Sequence, residues 1–368
     1  MSINENRKQL ATFLILTLAF SSIFYFLIIK SGHLGSGWGM YVGGPMWSPG
    51  LAGMLTRKIY GQSLSTLGWK WGEPRLQLMS YVIPLLYATI AYVAVWLLHL
   101  GGFYNHAFLE RVTKSFGLGP LPAWAAMTIY VVLSGTAGMV SSCSEALGEE
   151  IGWRGFLVPQ LAKTNSYTTT ALISGIIWSL WHYPILIFAD YNSGTPVWYG
   201  LTCFTVMVVS MSFIFAWMRL KSGSLWTGVL LHASHNLFIQ GFFDPITTDT
   251  GHTKYIIGEF GAALPLVSIA FAIYFWTKRD ELTSTEAVAV SAPRPLIPPS
   301  RLARPLRLMA RSSRKQPCLA SLSQQGPQPA FQDDLGRSLA TGRQPALKIL
   351  DPDPVRDFGF FHDYTDGC

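Results

Sequence analysis

Thr169–Phe188 reads TTALISGIIWSLWHYPILIF, twenty residues with no Asp, Glu, Lys or Arg. A helix rises about 1.5 Å per residue, so this run covers about 30 Å, the thickness of a bilayer's hydrocarbon core. A stretch of this kind is a membrane span. One ionisable group, His182, sits inside it. An ionisable group within a span marks a functional position by default, because burying its charge costs roughly several kcal/mol.

Seven further apolar runs flank this one: Leu10–Ile29, Trp38–Leu55, Leu78–Leu98, Ala123–Leu147, Val197–Met218, Ser224–Phe242 and Ile257–Trp276. Together they predict an all-α fold, a polytopic transmembrane bundle of about eight helices. The run Trp38–Leu55 is interrupted by Pro45, Pro49 and several glycines, which predicts a kinked or partly re-entrant segment. The first run follows Arg7 and Lys8 but has no small-residue cleavage site, so it reads as a retained span.

Composition agrees. Half of the residues are hydrophobic and 13% are charged, against about 25% charged in soluble domains. The net charge of +7 reads as basic loops, not as a nucleic-acid surface. Arg57, Lys58, Lys70 and Arg75 follow the second run, Arg154 and Lys163 the fourth, Arg219 and Lys221 the sixth, and Lys278 and Arg279 the eighth. Residues 31–36 and 189–196 contain no Lys or Arg. The alternation places both termini in the cytoplasm. Cys143, Cys203, Cys318 and Cys368 are scattered and show neither a disulfide framework nor a zinc spacing. From residue 281 the composition shifts to Pro, Arg, Ser and Gln, as in residues 292–300, APRPLIPPS. The expected division is a membrane domain over 1–280 and a low-complexity, disordered cytoplasmic tail over 281–368. The basic stretch 301–315 reads as solvated linker or as a contact for anionic lipid.

The polar groups within the spans concentrate in three of them. Glu145, Glu149 and Glu150 end the fourth, His182 lies in the fifth, and His232, His235 and Asn236 lie in the seventh. Glu150 and Arg154 are four apart and share a helix face, so they can pair; Glu149 is rotated about 100° away and is free to point elsewhere. One carboxylate thus becomes an anchor and its neighbour a candidate base. The bland alternative is a helix end with solvated charges. His232 and Asn236 also share a face and offer two donors to a developing oxyanion, while His235 lies off that stripe and reads as packing or as a support behind the site. Interhelical hydrogen bonding is the alternative for His182, His232 and Asn236. The chemistry this set suits is acyl hydrolysis by an activated water. Ser144 and Ser234 sit in no nucleophile-elbow pattern.

At these residues the sequence resembles the CPBP family, the CAAX proteases and bacteriocin-processing enzymes also called Abi, which includes the type II CAAX prenyl endopeptidase. That family shows Glu-Glu-x-x-x-Arg, then Phe-x-x-x-His, then His-x-x-x-Asn or Asp. Glu149-Glu150-Ile-Gly-Trp-Arg154 and His232-Ala-Ser-His-Asn236 match in full; the middle motif departs, with Trp178 in place of Phe ahead of His182. The aromatic reads as packing. The specific match covers a motif core over 145–236.

The resemblance implies a glutamic-type intramembrane endopeptidase in a bacterial cytoplasmic membrane, with a polar cavity open to the cytoplasm. Glu149 and His182 would activate water, His232 and Asn236 would hold the oxyanion, and Glu150 with Arg154 would support them. It implies no cofactor, with zinc as the alternative, since His and carboxylate also bind that metal. The implied partners are the lipid bilayer and a CAAX-like, bacteriocin-like or membrane-associated peptide. A transporter that relays protons and a non-catalytic immunity protein remain the competing classes.

Overall fold

The computed structural model describes residues 2–31, 40–119, 121–189 and 191–282. Nearly all of the expected tail, with Cys318 and Cys368, lies outside the described residues. The protein is an all-α bundle. Its helices are α1 (Ile3–Ser31), α2 (Met40–Ile59), α3 (Pro74–Leu97), the short α4 (His106–Ser115), α5 (Ala123–Ala162), α6 (Tyr167–Phe188), α7 (Val197–Ser222), α8 (Trp226–Phe238) and α9 (Ala263–Thr277). One two-residue antiparallel pairing, Gly102–Phe103 with Thr247–Thr248, ties the loop after α3 to the chain beyond α8.

Five of these helices, α1, α3, α5, α6 and α7, are long and apolar enough to cross a membrane. Their outward faces carry large apolar side chains: Ile15, Phe26, Leu78, Trp124, Val140 and Leu180 are all exposed. Polar side chains turn inward, as Asn6, Gln9, Thr17 and Ser21 do on α1. That is the distribution a lipid solvent requires, with polar groups satisfied inside the bundle. The protein is an integral membrane protein.

The described part of the second run is one continuous helix, α2, with Pro45 and Pro49 inside it. Close packing against α5 holds it: a Cβ on Gly152 would meet Pro49 backbone at 2.5 Å, and one on Gly148 would meet the Met46 carbonyl at 2.8 Å. Glycines four apart on one helix allow backbones this near approach. The fourth run does not stop at Leu147. The helix continues through the acidic cluster to Ala162, over 40 residues, and widens to π geometry at Ser134–Gly138 and Ile151–Leu157. Charged residues ended the apolar pattern without ending the helix, because they face the interior.

α6 packs against α7, α7 against α9, and α8 against both α3 and the second half of α5. The motif-bearing segments of α5, α6 and α8 thereby meet in the middle of the molecule. Ser166 starts α6 by accepting from Thr169 N at 3.2 Å, and Gly223 in the left-handed region (φ 66°) ends α7.

Candidate active site

The three motifs surround one cavity with about 760 Å³ of empty space, including its open mouth. Glu149, His182, His232 and Asn236 all line it, with Trp178, Tyr191, His235, Gln240 and Glu259. The remaining wall is largely apolar, from Ile28, Met46, Ile185, Phe204, Met207 and Met211.

The acidic pair is buried, Glu149 at 3% and Glu150 at 0% exposure, so it is no solvated helix end. The two carboxylates are held differently. Glu150 Oε1 accepts from Arg154 Nη1 at 2.8 Å and lies 3.0 Å from His232 Nδ1. The Arg154 guanidinium is sandwiched between the Trp178 and Phe215 rings, 4.1 and 3.7 Å from their centroids. Its backbone carbonyl accepts from Arg219 Nε at 2.7 Å. Glu150 is therefore a structural anchor joining α5 to α8. Among the described residues, Glu149 has no such cation on it. Its Oε2 accepts from two indoles, Trp153 Nε1 at 3.1 Å and Trp178 Nε1 at 2.8 Å, which leaves Oε1 for the cavity.

The histidine tautomers follow from their partners. His182 Nδ1 lies 3.0 Å from the Trp178 carbonyl. A carbonyl only accepts, so Nδ1 carries the hydrogen and Nε2 presents a lone pair. His232 Nδ1 donates to Glu150 in the same way. Its ring lies edge-on to Trp178, with centroids 5.4 Å apart. The Asn236 side-chain amide bonds to no described side chain. Ser144 and Ser234 are tied to backbone carbonyls, of Val140 at 3.0 Å and Tyr81 at 2.6 Å, and neither lines the cavity.

Two sequence readings need correction. Trp178 is not only packing: its indole N–H is a direct hydrogen-bond donor to Glu149, which a Phe ring cannot supply. His235 is not behind the site: it lines the cavity and bonds Glu259 Oε1 through Nε2 at 3.0 Å. Glu259 and Tyr191 were missed altogether. Glu259 follows Gly258, whose φ of 72° favours glycine and whose N–H donates to Tyr92 Oη at 3.0 Å. The available signal was Glu259 itself, a carboxylate within the apolar run Ile257–Trp276. Among the described residues, no three His, Cys, Asp or Glu side chains are grouped as a metal site.

Part of the chain is similar to known proteins. Residues 131–238 match the family model of the type II CAAX prenyl endopeptidase Rce1-like proteins. A 133-residue stretch is 35% identical to "CAAX prenyl protease 2" of the archaeon Methanococcus maripaludis, covering 34% of this chain and 45% of that protein. The chain thus spans less than half the length of the curated relative it matches. Glu149, His182, His232 and Asn236 fall inside the matched region, whereas Gln240 and Glu259 fall beyond it. Over residues 131–238, the chain is similar to the Rce1-like, type II CAAX prenyl endopeptidase family.

Proposed function

We propose that this protein is an intramembrane endopeptidase that hydrolyses a peptide bond with a water activated by Glu149 and His182. One observation carries the reading. A carboxylate fixed by two indoles shares a cavity, inside a membrane bundle, with an imidazole whose hydrogen is already committed to a backbone carbonyl. Glu149 Oε1 orients the water and His182 Nε2 accepts its proton. The hydroxide oxygen bonds to the peptide carbonyl carbon, and the carbonyl oxygen becomes an oxyanion. Asn236 donates to that oxygen through its amide. His232, when protonated on both nitrogens, donates through Nε2 while Glu150 balances its charge. The C–N bond then breaks, the leaving nitrogen takes the proton held by His182, and a carboxylic acid and an amine are released.

No step requires a metal in this reading. The substrate is a membrane-associated peptide chain, lipidated or not. The apolar wall accommodates its side chains, and the basic loop ends favour a cytoplasmic position for both termini. The test is cleavage of a quenched peptide library, with and without lipidated members, by the purified chain in detergent, repeated with chelator. Cleavage that survives chelation is expected. No cleavage of any member would refute the reading, and loss on chelation with recovery on added zinc would replace the metal-free mechanism.

A further inference from the structure

The end of the cavity formed by Tyr191, His235 and Glu259 takes no part in these steps, yet it is fully wired. Tyr87 is buried, and its hydroxyl lies 2.5 Å from His235 Nδ1 with no other acceptor among the described residues. The phenol therefore donates to Nδ1, which leaves the ring's hydrogen on Nε2, pointing at Glu259 Oε1 at 3.0 Å. Tyr191 donates to Glu259 Oε2 at 2.6 Å. Each carboxylate oxygen thus already receives a hydrogen from a neutral group. This arrangement suits an ionised carboxylate, and among the described residues no Lys or Arg is paired with it. Glu259 is 7% exposed and its one ion-pair contact is to that imidazole. Among the described residues lining the cavity there is no Lys or Arg, and Glu149 adds a second carboxylate. A buried anion held only by dipoles attracts a cation into the space it faces and repels another anion.

We propose that Glu259 makes this end of the cavity a subsite for a basic side chain, Lys or Arg, of the peptide substrate, and that it excludes a free carboxylate there. The inference rests on the peptide-substrate reading and adds a charge preference to it. Glu259 acts as a specificity residue, with His235, Tyr87 and Tyr191 fixing its position.

The test reads binding, not turnover. Fluorescent peptides identical except for Lys, Gln or Glu at one position, scanned along a short chain, are titrated by anisotropy against the full chain carrying E149Q in detergent. At one position the Lys peptide is expected to bind roughly tenfold tighter than the Glu peptide, about 1.4 kcal/mol. The gap narrows with salt and closes in the E149Q/E259Q protein. Equal binding of Lys and Glu peptides at every position, or a preference that survives E259Q, overturns the proposal. If a thermal melt shows E259Q unfolded, E259M replaces it: the charge is gone, so the gap must close, and its survival overturns the proposal. Failure of the wild type to cleave any peptide refutes hydrolysis while this preference stands. A flat charge series refutes the subsite while hydrolysis stands, and no binding by any peptide refutes both.

Discussion

Replacing Trp178 by Phe removes one hydrogen from the site and leaves an aromatic ring in place. The indole N–H donates to Glu149 Oε2 at 2.8 Å, and among the described residues the only other donor on that oxygen is Trp153 at 3.1 Å. A hydrogen bond to a charged group contributes about 1.5–3 kcal/mol. If the carboxylate must hold its angle to orient water, most of that loss falls on the transition state. kcat should then drop roughly ten- to hundredfold with KM within about threefold. Arg154 keeps a ring to stack on, so the Glu150–Arg154 anchor should survive. Phe is also smaller than Trp, and the cavity it leaves would lower stability by itself. 3-Benzothienylalanine at position 178 separates the two effects, because it keeps the bicyclic shape and puts sulfur where the N–H was. The assay is steady-state cleavage of the best library peptide, with a thermal melt on each protein. Full activity in the benzothienyl protein would refute the idea that this hydrogen bond positions Glu149.

Other substitutions test the frame around the site. Glu150→Gln leaves the Arg154 guanidinium, 2% exposed, without its carboxylate, and should destabilise the fold by about 3–5 kcal/mol; an unchanged melting temperature would contradict the anchor role. Gly152→Ala puts a methyl 2.4 Å from Pro49 Cβ, so the α2–α5 contact should loosen at a loss of about 1–3 kcal/mol, read as a lower melting temperature. Gly228→Ala places a methyl 2.6 Å from Glu150 Oε2 and 3.2 Å from Arg154 Cβ. It should reduce cleavage by disturbing the anchor, and wild-type kinetics in that variant would show that the site tolerates the shift.

Much of the bundle was legible because lipid makes hydrophobicity a plain signal. Runs of about 20 apolar residues became α1, α3, α6 and α7. What stayed hidden has physical causes. α4, at 10 residues, is too short and polar to register as a span. The continuation of α5 past Leu147 was masked by Glu149, Glu150 and Arg154, which look like a solvated terminus until their pairing is seen. The π turns at Ser134–Gly138 and Ile151–Leu157 have no sequence pattern of their own. At the site, spacing of four residues located Glu150 with Arg154 and His232 with Asn236, because helical neighbours share a face. It could not show that Trp178 reaches Glu149 from another helix, nor that His235, off the His232 stripe, meets Glu259 in the loop before α9. Those contacts depend on how helices pack, and a linear pattern does not carry that.

The central claim is that Glu149 and His182 act on a single water molecule. Groups that act as a unit lose their effect together, not one after the other. The measurement is kcat/KM for cleavage of one peptide by the wild type, Glu149→Gln, His182→Gln and the double variant, with matched melting curves. The account predicts that each single change removes nearly all activity and that the double is no worse than either. Activity that survives Glu149→Gln, or losses that multiply in the double variant, would contradict it.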